Sequence, residues 1–129
     1  MDDVNLAPLV GIVGCLGVIA ALIYPYVAAE GSVGTYYGSG VVNPLVAGLL
    51  ALVTIIVLAA GRENRTDPGL AAGAGMVFGL FMVLLTLGWG MTARVDAVVL
   101  SDLHRWVVPA IALLVPLGSV WYSRALGVF

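Results

Sequence analysis

Residues 68–91 read PGLAAGAGMVFGLFMVLLTLGWGM, an uninterrupted run without a single charged side chain. A bilayer core needs about 20 apolar residues of helix, with about 17–25 tolerated. This segment meets that length, and it is apolar on every side rather than on one face. Three further segments share the property: residues 6–27, 44–60 and 103–122, the second at the short limit. Inside hydrocarbon every backbone N–H and C=O must be satisfied within the protein, so such segments become helices. A transmembrane barrel would instead show segments of about ten residues with alternating polarity. The expected fold is an all-α membrane protein: a single domain over residues 1–129, built of four antiparallel transmembrane helices under a small extracellular cap.

Composition agrees. Of 129 residues, 62% are hydrophobic and 9% charged, against about 25% charged for a soluble domain. Mean hydropathy is +1.14. The cations are five Arg with no Lys, and the net charge is −2, which excludes a phosphate-tracking surface and hence a nucleic-acid partner. One Cys cannot close a bridge within the chain.

Local signals mark the helix ends. Asn43-Pro44 and Asp67-Pro68 each set a capping side chain before a proline suited to a first turn, and Ser101-Asp102 offers a cap for the fourth helix. Gly61 stands where a C-terminal glycine would end the second. Pro25 is expected to end or kink the first helix, and Pro116 to bend the fourth. Tyr24, Tyr26, Trp89 and Trp106 are placed at one membrane surface, Trp121 and Tyr122 at the other. With both termini cytoplasmic, Arg62, Arg65 and Arg124 lie inside and Arg94 and Arg105 outside, a positive-inside bias. The acidic start, Met1-Asp2-Asp3, does not fit a cleaved signal. The sequon Asn64-Arg65-Thr66 then faces the cytoplasm and is silent.

No Asp, Glu, Lys, Arg or His lies in the middle of a span, which argues against proton relays and ion-coupled transport. The polar groups at depth are Thr54, Thr86, Ser119 and Cys15, and the hydroxyls are expected to bond back to carbonyls of their own helices. His104 is the sole histidine and is read as a surface residue at a helix entrance. A zinc site from His104, Asp102 and Asp96 has no diagnostic spacing. There is no nucleophile elbow, phosphate loop or Ser-His-Asp arrangement at one depth, so neither an enzyme nor a cofactor is expected.

What the spans do contain is glycine. Gly11, Gly14 and Gly17 recur in the first, and Gly69, Gly73, Gly75 and Gly79 in the third, where 69/73 and 75/79 have the small-xxx-small spacing. In lipid, helix association depends on close backbone approach, which small residues permit. The first and third helices are therefore expected at the centre of the bundle or at a subunit interface, and the second facing lipid over much of its circumference. In the outer loops, Val33, Thr35, Tyr36, Tyr37, Val41 and Val42 favour strands and Gly38-Ser39-Gly40 can turn them, so a β-hairpin cap is expected. Residues 92–100 offer another short strand. Glu30, Arg94, Asp96, Asp102, His104 and Arg105 would form its polar rim.

The lack of Lys, the acidic loops and the wealth of Ala, Gly, Val and Leu resemble proteins of halophilic archaea. The whole chain looks like the small uncharacterised four-helix membrane proteins of those organisms, and the resemblance implies a plasma-membrane location and high salt. The layout of four helices with a strand-forming first outer loop is also similar to claudins, without the Trp residues and Cys pair of their loop.

The function expected from these readings is a non-enzymatic multipass protein that works through helix packing and its outer loops, as a structural or accessory subunit. Its partners would be membrane lipids and either further copies of itself or another membrane protein. The alternatives are a homo-oligomeric pore and an apolar lipid or quinone binder.

Overall fold

The structure, a computed structural model, describes residues 3–28, 30–31, 37, 43–92, 98–99 and 104–127. Its helices are α1 (Asp3–Ala28), α2 (Leu45–Arg62), α3 (Pro68–Thr92), α4 (His104–Ala112) and α5 (Leu114–Ala125). Four stretches are long and apolar enough to cross a membrane: Asp3–Tyr24, Leu45–Arg62, Pro68–Thr92 and Trp106–Ala125.

The capping residues do what their chemistry allows. The Asn43 Oδ1 accepts from the Leu45 N–H at 3.0 Å, and the Asp67 Oδ1 from the Gly69 N–H at 3.1 Å. Each satisfies an amide that the first turn leaves without a partner. The end of α2 departs from expectation. The helix runs through Gly61 to Arg62, and the left-handed residue is Asn64, with φ 58°. The Arg65 N–H bonds the Ala60 carbonyl at 2.8 Å and the Asn64 N–H the Gly61 carbonyl at 3.2 Å, the two bonds of a Schellman ending. Asparagine tolerates that conformation better than other side-chain-bearing residues, which frees Gly61 for packing.

Proline acts one turn upstream of itself. The fourth crossing is interrupted at Leu113, between α4 and α5. Pro116 has no N–H to offer the Ala112 carbonyl, and its ring crowds that group, so the helix gives way there. Pro25, by contrast, does not end α1, which continues to Ala28.

The crossings form a ring. α1 packs on α2 and on α4 and α5, and α3 packs on the same neighbours from the opposite side. The first and third helices therefore face each other across the bundle, and neither is central. Each helix buries a narrow stripe; on α2 it is Ala47, Ala51, Thr54, Leu58 and Gly61, spaced three and four apart. That seam spacing is the one that lets nearly parallel helix axes interlock. The rest of α2 turns outward, with Leu49 63% and Ile56 68% exposed, as a lipid-facing helix requires. Inside the ring, Cys15, Val18, Met82, Ala112 and Val115 are fully buried in one continuous core.

The buried hydroxyls of Thr54 and Thr86 donate to the carbonyls of Leu50 and Met82, each at 2.7 Å. At one end of the bundle the Arg62 Nε donates to the Asn5 carbonyl at 3.0 Å, tying the end of α2 to the start of α1. A two-residue antiparallel ladder, β1 (Glu30–Gly31) with β2 (Val98–Val99), joins the connection after α1 to the connection after α3. Strand pairing thus occurs between the two loops. Apart from Tyr37, the hairpin expected over residues 33–42 lies outside the described residues.

Candidate functional site

The glycines define one seam, and it runs along the fourth crossing. A Cβ on Gly14 would lie 2.8 Å from the Leu114 Cβ and 3.3 Å from the Val115 N. A Cβ on Gly79 would meet the Pro116 N at 2.7 Å and its Cδ at 2.8 Å. On α5, a Cβ at Gly118 would meet the Gly11 N at 2.8 Å and its Cα at 3.3 Å. At Gly79 and Gly118 the nearest atom is backbone and at Gly14 it is a β-carbon, and together these approaches clamp the broken fourth crossing between α1 and α3. Gly11 and Gly17 face softer neighbours, Leu58 Cδ1 and Ile111 Cγ2, each 2.7 Å from the added carbon. Gly75 sits on the Ser119 hydroxyl, and Gly61 on Ala71 and Tyr122.

The two small-xxx-small pairs of α3 therefore part company. Gly75 and Gly79 pack inside the chain, whereas Gly73 has nothing within 4 Å of an added Cβ. Gly69 serves the N-terminal cap, through its amide. Gly118 and Gly61 escape a search for glycine pairs because their partners lie on other helices, not four residues away. The Ser119 Oγ and Tyr122 OH are buried without a conventional partner. Each lies where a glycine leaves room for it: a Cβ on Gly75 would fall against the Ser119 hydroxyl, and one on Gly61 would lie 3.2 Å from the Tyr122 hydroxyl.

At the other end of the bundle stands a ring of aromatic side chains. His104 is buried, with 7% of its surface exposed, and this corrects its reading as a surface residue of a polar rim. Its Nε2 lies 2.6 Å from the Ala21 carbonyl and so carries the proton, because a carbonyl can only accept. The sequence explains why that carbonyl is available. The residue four ahead of Ala21 is Pro25, which has no N–H to close the helical bond. One residue on, the Leu22 carbonyl accepts from the hydroxyl of Tyr37, which is held against this end of the bundle.

Trp89 binds this end together. It is fully buried, with the Tyr37 ring 5.4 Å away at 58° and the His104 ring 6.0 Å away edge-on at 83°. Tyr24 stacks on His104 at 6.2 Å, and Tyr26 tilts onto Tyr37 at 5.8 Å. Tilted and edge-to-face rings suit the quadrupoles of the π systems. Trp89 is thus a plug in the bundle end rather than a belt residue facing headgroups. Amphipathic rings of belt and plug look alike in sequence, and only three-dimensional neighbours separate them.

His104 stands two residues ahead of the fourth apolar stretch, and burial pushes its imidazole below the ordinary histidine range, the Ala21 carbonyl bond pulling the other way. The folded state therefore favours the neutral ring, whereas the unfolded chain takes up a proton near pH 6.5. Stability present above that pH is lost as pH falls through it. Between about pH 6.5 and 5 the melting temperature in detergent should fall more for the wild type than for His104→Gln. Equal falls in the two proteins would refute the role given to this ring.

Of the remaining rim, Glu30 joins the ladder through its backbone, opposite Val99. Arg94, Asp96 and Asp102 lie outside the described residues, as does the side chain of Arg105. Among the described residues no cluster of three His, Cys, Asp or Glu side chains is placed to hold a metal.

A family of unknown function, DUF7548, matches residues 1–127 of the chain. No curated protein and no solved structure matches it.

Proposed function

The chain belongs to the DUF7548 family, and we propose that it is a non-enzymatic accessory subunit of a membrane assembly. In this reading its four helices alternate in direction across the plasma membrane, with both termini in the cytoplasm. It acts through the lipid-facing sides of its helices and through its outer loops.

One observation carries the reading: the interior is filled, and it is uncharged. Among the described residues the buried polar side chains are Thr54, Thr86, Ser119 and Ser123 in the spans and His104 at the end. The threonine hydroxyls bond their own helices, and Ser123 donates to the Met76 sulfur at 3.4 Å. Substrate relays and ion paths through a membrane protein need ionisable groups at depth or a hydrated lumen. The fully buried Cys15, Val18, Met82 and Val115 occupy the place where a lumen within one chain would run.

The test is assembly state at native abundance. Extracted from its own membranes in a mild detergent, the chain should migrate with a different membrane protein in constant ratio. A monomer under those conditions contradicts the reading. A closed ring of identical copies that carries ions across liposomes replaces it with a pore formed between chains.

A further inference from the structure

At the bundle end where α1 starts and α5 stops, a cleft of about 410 Å³ opens to the surface, lined by Asp3, Leu117, Val120, Trp121, Arg124 and Ala125. Its volume falls in the range of small-molecule sites, about 300–1,000 Å³. We propose that this cleft binds a zwitterionic glycerophospholipid, its phosphate on Arg124, its ammonium on Asp3, and a hydrocarbon chain along Leu117 and Val120.

Three features argue for that occupant. First, the lining is graded by depth. Val120, Trp121 and Arg124 lie three, four and seven residues beyond Leu117, so a single face of α5 passes from hydrocarbon to indole to guanidinium. Leu117 is 62% exposed, in the position for a lipid chain, and the half-buried Trp121 packs against the buried cluster of Ala7, Leu58, Ala71, Ala72 and Tyr122. An indole prefers the headgroup level, which sets the depth of the polar mouth.

Second, Arg124 is uncommitted. Among the described residues the one ion pair is Arg62 with Glu63, at 3.6 Å, and Arg124 stands in the last turn of α5 with its side chain exposed. A guanidinium presents a planar fork that matches phosphate oxygens two at a time. Third, among the described residues the cleft holds one charge of each sign. Asp3 on α1 opposes a purely anionic headgroup and complements one that carries phosphate and ammonium together.

A second cleft at this end, about 400 Å³, also holds one acid and one base, Glu63 and Arg65. Its apolar wall comes from α2 alone, through Ile55, Ile56, Ala59 and Ala60, and Glu63 is already paired with Arg62. It therefore serves as the control.

The experiment is lipid retention. The full chain is reconstituted in equimolar phosphatidylethanolamine and phosphatidylglycerol, re-extracted in detergent and weighed intact by native mass spectrometry. The wild type should retain phosphatidylethanolamine in preference. Arg124→Gln should lower retention about tenfold, the order of one charge-assisted hydrogen bond, at an unchanged melting temperature. Asp3→Asn should turn the preference toward phosphatidylglycerol, and Arg65→Gln should leave retention unchanged. Wild-type preference for phosphatidylglycerol, equal retention by Arg124→Gln, or equal losses from Arg124→Gln and Arg65→Gln would each overturn the assignment.

Discussion

Gly118→Leu should leave little folded protein, and Gly79→Leu should do the same, whereas Gly73→Leu should melt within a degree or two of the wild type. In water a buried apolar seam is driven together by its area; between helices in lipid that drive is nearly absent, and what holds the helices is van der Waals contact at short range. The seam along the fourth crossing depends on the missing side chains. At Gly118 the first added carbon already lies 2.8 Å from the Gly11 nitrogen, and at Gly79 it lies 2.7 Å from the Pro116 nitrogen. Both neighbours are backbone and cannot rotate away, so the helices must separate. Overpacking costs about 1–3 kcal/mol where side chains can adjust, and these sites belong at or above the top of that range. Gly17 is intermediate, because its neighbour is the Ile111 Cγ2, which can turn. Gly73 meets nothing, and a leucine there gains the roughly 0.5–1 kcal/mol by which glycine weakens a helix. The measurement is denaturant or thermal unfolding in one detergent. Equal stability of Gly118→Leu and Gly73→Leu would refute the clamp.

Trp89→Ala carries the second large effect. The indole is fully buried, and two rings rest on it, Tyr37 from the outer loop and His104 from the start of α4. Truncation removes the largest fully buried side chain among the described residues and leaves both rings beside a void. Phe or Trp to Ala changes in cores cost about 3–5 kcal/mol, and this site has little freedom to collapse because α1 and α4 are fixed on either side by the carbonyl bonds of Tyr37 and His104. Trp106, at 39% exposed, is the comparison, and its truncation should cost less than about 1 kcal/mol. The loss at Trp89 should also loosen the outer loop, read as faster proteolysis there at temperatures where the helices stay folded. A Trp89→Ala protein no less stable than Trp106→Ala would show that the plug is incidental.

The spans were legible because hydropathy and length are properties of the segment alone. Residues 68–91 announce α3 without reference to anything else, and the prolines and capping carboxamide or carboxylate at 43–44 and 67–68 place two helix starts to within a residue. What depended on neighbours was not legible. Gly61 reads as a helix stop by position, yet the chain ends α2 on Asn64 and places Gly61 against Ala71 and Tyr122. Gly118 carries no local pairing signal, since its partner is Gly11 on another helix. His104 reads as a surface residue because polarity near a span end points outward on average. The carbonyl left open by Pro25 reverses that, and the two residues are far apart in sequence. Gly73 errs in the opposite direction: the spacing that marks close packing is present, and among the described residues nothing lies within 4 Å of a Cβ placed there.

The central claim is four crossings that return the chain to its starting side. Single cysteines in a Cys15→Ala background, labelled with an impermeant maleimide before and after the membrane is opened, test it directly. Asp3→Cys, Asn64→Cys and Gly127→Cys should all react on one side, and Ser39→Cys and Ala97→Cys on the other. Reaction of Asn64→Cys on the same side as Ser39→Cys, or of Asp3→Cys and Gly127→Cys on opposite sides, would contradict the fold and the function drawn from it.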